Sequence, residues 1–195
     1  MVVLSACGSS DSDSGNSGDG SDGDSGGVDT TTGFALPVPY GTGEATILEG
    51  TWVADCFKID VGIGVGYGKG VITYTGNGLS IVGASYSDPD CLTLVTSFTA
   101  TKDIVIGNQI TSDSGLSAYE IDITTVQGTT ILPNGIEIED IAGITNYVIT
   151  RVDGDKLYDA RLPNPLTVDP NAIPPASTPE TRIKALNFDY FYYRL

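Results

Sequence analysis

Tyr119-Glu120-Ile121-Asp122-Ile123 alternates apolar and acidic side chains without a break. Successive side chains of an extended chain leave on opposite faces, so this run has one face for a core and one for water. The same period returns in Ile136-Glu137-Ile138-Glu139. No stretch carries a 3.6-residue apolar period over three turns, so the ordered part of the chain is predicted to be all-β.

Turn chemistry separates the runs. Gly76-Asn77-Gly78 sits between two of them, and Asn-Gly fits a tight type I′ hairpin turn. Pro133-Asn134-Gly135 and Asp153-Gly154 mark two further reversals. Eight to ten short strands with short connections predict an antiparallel meander closing into a barrel. A two-sheet sandwich is the alternative.

Charge restricts what such a domain can meet. The 195 residues carry a formal net charge of −16 with nine Lys and Arg, so phosphate backbones are repelled and nucleic acid is not an expected partner. Anionic lipid headgroups are repelled as well, and no apolar run approaches the roughly 20 residues of a spanning helix. Membrane attachment therefore requires a covalent anchor. The chain has no histidine, which removes Ser-His-Asp and Cys-His arrangements and the commonest metal ligand.

Paired carboxylates give no better case for an enzyme. Glu137 and Glu139 share the wet face of one strand, while Asp88 and Asp90 flank Pro89, and Asp153 and Asp155 flank Gly154, both as turns. No catalytic activity, cofactor or metal is expected. Asp11-x-Asp13 and Asp22-x-Asp24 lack the glycine and closing glutamate of a calcium loop.

The N-terminus explains the odd cysteine count. Leu4-Ser5-Ala6-Cys7 resembles the bacterial lipobox, an aliphatic residue and two small ones before the cysteine that takes a diacylglycerol. The preceding basic and apolar regions of a signal peptide are missing or short, which implies a start upstream or a shortened leader. Residues 8–27 are almost wholly Ser, Asp, Gly and Asn, and cannot offset the entropy of ordering. Three segments follow: a leader remnant at 1–7, a disordered tether at 8–45 with a relaxed span on the order of 35 Å, and a β domain at 46–195. The resemblance implies a palmitate-type lipid on Cys7 and a place in the bacterial envelope, at the outer membrane, facing the periplasm or the surface. Cys56 and Cys91 remain. In an exported chain they are expected to form a disulfide, the alternative being two free buried thiols.

Gly50-Thr51-Trp52 opens the first strand, and Thr145-Asn146-Tyr147 lies near a late one. The first resembles the Gly-x-Trp signature of lipocalins, whose tryptophan plugs the closed end of an eight-stranded cup; the second is similar to their Thr-Asp-Tyr motif, with Asn146 in place of the acid. The resemblance implies an arginine over the tryptophan, for which Arg194 is the first candidate and Arg161 the next. Together with Cys56 and Tyr86-x-Asp88 before Cys91, the pattern resembles lipocalin-like domains of bacterial lipoproteins. Prolines 163, 165, 170, 174, 175 and 179 exclude the long helix that lipocalins place after the barrel.

Residues 61–70 alternate glycine with larger side chains and match neither a dinucleotide fingerprint nor a phosphate loop. They read either as a lid, with Val61, Ile63, Val65 and Tyr67 at a pocket mouth, or as a pliable loop or glycine strand. Phe188, Tyr190 and Tyr192 are expected on one face of the last strand, Phe191 and Tyr193 on the other. The expected function is a lipid-anchored envelope module that binds a small apolar ligand or a protein partner. The alternative is a structural or adhesive surface domain with a filled core.

Overall fold

The computed structural model describes residues 33–60, 65–161 and 177–195. Its strands are β1 (Gly50–Asp60), β2 (Val65–Thr75), β3 (Gly78–Tyr86), β4 (Leu94–Thr111), β5 (Ser117–Ile131), β6 (Glu137–Glu139), β7 (Thr145–Asp153), β8 (Lys156–Asp159) and β9 (Tyr192–Arg194). They form one sheet in the order β4-β3-β2-β1-β9-β8-β7-β5-β6, and β4 also pairs with β5. That last pairing closes an antiparallel barrel of eight strands, with β6 left outside the ring on β5. The two-sheet alternative does not occur. Closure removes the sheet edges that a sandwich keeps. Among the described residues there is no α-helix.

The alternating run from Tyr119 to Ile123 sits in β5. Ile121 pairs with Ile106 of β4 and Val148 of β7, and is 1% exposed. Glu120 and Asp122 point outward, where both meet Arg182. Following the registers around the ring, Trp52, Ile72, Tyr74, Leu79, Ile104, Ile121 and Leu157 all face the interior and form one buried cluster.

The sheet departs from the sequence reading in three places. The turn at Gly76-Asn77 is not type I′, because only Gly76 has a positive φ, at 54°. Glycine first is the pattern of type II′ turns. It leaves Asn77 free to accept from Thr42 N–H through its side chain, at 2.8 Å. Second, β6 has three residues, and Ile136 and Ile138 stay 54% and 50% exposed. The apolar face read there has no core, because β6 pairs beside the end of β5 that lies beyond its pairing with β7. Third, the aromatic row near the C-terminus is broken. Asn187 accepts from Asp189 N–H at 2.9 Å and bends the chain, so only Tyr192–Arg194 is strand. Phe188 and Phe191 both lie against Tyr158, whereas Tyr190 stacks on Phe57.

The folded part begins before residue 45. Ser80 Oγ donates to the Val38 carbonyl at 2.7 Å, and Tyr40 OH donates to Asp103 at 2.8 Å. Cys7, the serine-rich run and the prolines from 163 to 175 lie outside the described residues.

Candidate functional site

The two ends of the barrel are built differently. At one end Trp52 is fully buried, and its indole N–H donates to the Leu48 carbonyl at 2.7 Å. Leu48, also fully buried, lies in a turn that crosses the barrel base. The Arg194 guanidinium lies 4.2 Å from the Trp52 ring and donates to the Glu49 carbonyl at 2.7 Å. Gly50 makes this possible. Its φ is +115°, and a Cβ there would come within 3.3 Å of Arg194 Nη1. Gly50, Trp52 and Arg194 therefore form one contact group. Arg161 is elsewhere, paired on the surface with Asp189 at 3.3 Å. Thr145 and Tyr147 do not join the group: Thr145 bonds Thr124, and Tyr147 lies under Arg182 on the outer face.

Toward the other end the interior holds a cavity of about 70 Å³, lined by Phe57, Ile59, Gly68, Gly70, Ile72, Ile81, Phe98 and Tyr192 among others. Its floor is glycine, because Gly70 and Gly83 are directly paired across β2 and β3 and Gly68 is two residues along. The space those glycines leave is already used. A Cβ on Gly68 would stand 2.7 Å from Ile59, and one on Gly83 2.5 Å from Phe98. The glycine run thus belongs in part to strand β2, and its glycines make room for large interior side chains. Tyr67 points away from the cavity on the outer face, Val65 begins β2, and Val61 and Ile63 lie outside the described residues. Of the mouth expected at Val61, Ile63, Val65 and Tyr67, only Tyr67 has a described side chain, and the alternation puts Gly68 inward and Tyr67 outward.

Polar groups also face inward. Asp159 lies on the interior face two residues beyond Leu157, and burial pushes its carboxyl up to about 6. Its charge in turn adds to the burial that raises the Tyr74, Tyr190 and Tyr192 hydroxyls. Lys102 reaches Thr125 Oγ1 at 3.4 Å; burial lowers its pKa, and the nearby Asp140 charge opposes that shift. No sequence signal marks Asp159 or Lys102, since a single polar residue at an inward position leaves the strand pattern intact. Among the described residues no group of three His, Cys, Asp or Glu side chains could hold a metal ion.

Around the open end, a bulge between Ala54 and Phe57 turns Cys56 out of the wall to bond Cys91, with the two Cα atoms 5.8 Å apart. Asp88 shapes the connecting loop by accepting from the N–H groups of Thr93, Leu92 and Asp90, and the Thr93 bond, the largest cause, holds its carboxyl below the ordinary range. Arg182 organises the outer face of β5 and β7. It bonds Asp122 at 2.6 Å and Glu120 at 3.3 Å, and its sequence distance of 60 residues from Asp122 hid it from local reading. Apolar side chains stay exposed on this end: Leu92 at 80%, Leu94 at 51% and Ile138 at 50%.

No family model matches the chain, and no curated protein matches it.

Proposed function

We propose that the protein is a lipid-anchored module of the bacterial envelope that binds a protein partner through the outside of a packed barrel. Cys7 carries the lipid, the serine- and aspartate-rich segment is the tether, and the barrel is the part held out for contact. The reading carries no catalytic step. The observation behind it is the size of the interior cavity. About 70 Å³ is well below the several hundred Å³ of small-molecule sites, and below the roughly 150 Å³ of a cavity that takes benzene.

A small apolar ligand is the second reading, favoured by one feature. Phe57, Ile59 and Phe98 occupy the room over the glycine floor, and their displacement would enlarge the cavity. Native mass spectrometry of full-length protein extracted from envelopes decides between the two. The partner reading predicts the mass of polypeptide plus lipid, with the lipid lost in Cys7→Ser. A stoichiometric extra small molecule would overturn it in favour of the ligand. Undiminished labelling of Cys7→Ser by a palmitate analogue would overturn the anchor.

A further inference from the structure

We infer that β6 is a docking edge for an extended cationic segment of a partner protein, which adds a strand beside Glu137–Glu139. The inference rests on the surface-binding reading above and names the chemistry of its partner. Among the described residues β6 pairs with β5 alone, so its other edge carries unpaired backbone donors and acceptors. The registers align Phe98, Thr130 and Ile138 in one row across β4, β5 and β6. Phe98, at the inner end of this row, borders the cavity, while Ile138 at the edge is 50% exposed, so the row ends in an uncovered apolar side chain.

Charge selects the occupant. Residues 103–150 contain no Lys or Arg. Arg182 pairs with Glu120 and Asp122, but Glu137 and Glu139 have no ion-pair partner among the described residues. A second copy adding antiparallel about Ile138 would set Glu137 against Glu139, and like charges directly opposite are destabilising. A short acidic edge is also how proteins prevent self-pairing. That device alone does not call for exposed Ile136, Ile138, Ile141 and Ile144 around it. Acids that reject a second copy and isoleucines that favour burial select the same partner: a strand alternating apolar and cationic residues, with its cations opposite Glu137 and Glu139.

The test uses full-length protein and labelled five-residue peptides, read by fluorescence anisotropy and by amide exchange at residues 136–139. Lys-Val-Lys-Val-Lys should bind and slow exchange there, while Lys-Lys-Lys-Val-Val should bind about tenfold more weakly. The E137K/E139K variant, checked for an unchanged melting temperature, should lose Lys-Val-Lys-Val-Lys and gain Glu-Val-Glu-Val-Glu. Equal binding of the two lysine peptides, or unchanged binding by the charge-reversed variant, would overturn the assignment to β6. Either result leaves the surface-binding reading to its own test, the mass of the envelope-extracted protein.

Discussion

Trp52 and Ile138 both face the inner side of the same sheet, yet one is fully buried and the other is 50% exposed. The difference lies in what the chain lays across each end. Below Trp52 run the Leu48 turn and the Arg194 side chain, tied to it by the indole–carbonyl bond and the cation–π contact. Among the described residues the only strand paired beside Ile138 is β5, and its neighbours in the row are Thr130 and Phe98. An apolar residue at an inward strand position is thus not a core residue until another segment covers it. One end has been made into a core, and the other leaves Ile138 half exposed.

The contrast can be broken most severely at Trp52. Trp52→Ala should cost roughly 3–5 kcal/mol by denaturant titration, as large aromatic deletions from packed sites do. A cost under about 1 kcal/mol would mean that the covered end is loosely packed.

Asp159, between the two ends, gives a pH signature. Its folded pKa of about 6 lies above the ordinary 3.8, so the folded state holds a proton that the unfolded state releases. The group therefore destabilises the fold as pH rises, and stability is highest below about 4 and falls through about 6. The full effect is roughly 2–3 kcal/mol. Asp159→Asn should remove this fall, seen as a stability difference from wild type that grows between pH 4 and 7. A constant difference over that range would show a carboxylate that is not perturbed by burial.

Replacing Arg194 by Met should cost less, roughly 0.5–2 kcal/mol, and should alter the fluorescence of Trp52, the only tryptophan. Arg161→Met should leave that emission unchanged. At the open end Ile138→Thr should change stability by less than about 0.5 kcal/mol, as surface substitutions do. A loss comparable to that at Trp52 would show that Ile138 is covered after all.

The barrel was legible because its strands alternate over long runs. Residues 119–123 read as a half-buried strand from five side chains, and Gly50-x-Trp52 located the start of β1. Cys56 and Cys91 were readable as a pair by parity, and the structure bonds them. What escaped was set by contacts distant in sequence. Ile136 and Ile138 show the same alternation as β5, because period two reports which way side chains point and not what lies opposite. The Asn77 conformation is fixed by Thr42, and Arg182 finds its acids across 60 residues. Asp159 was hidden differently: one carboxyl among apolar inward positions is indistinguishable from an outward one until the register is known.

Amide hydrogen exchange resolved along the chain tests the contrast between the two ends most directly. Slow exchange marks backbone that opens only with the whole fold, and fast exchange marks local opening. Residues 51–54 and 71–74, around Trp52 and its partner Ile72, should exchange only through global unfolding and slow further as stability rises. Residues 137–139 should exchange far faster, at a rate indifferent to global stability. Equal protection of the two segments would contradict the account, since it would mean that β6 is held as firmly as the base of the barrel and offers no free edge.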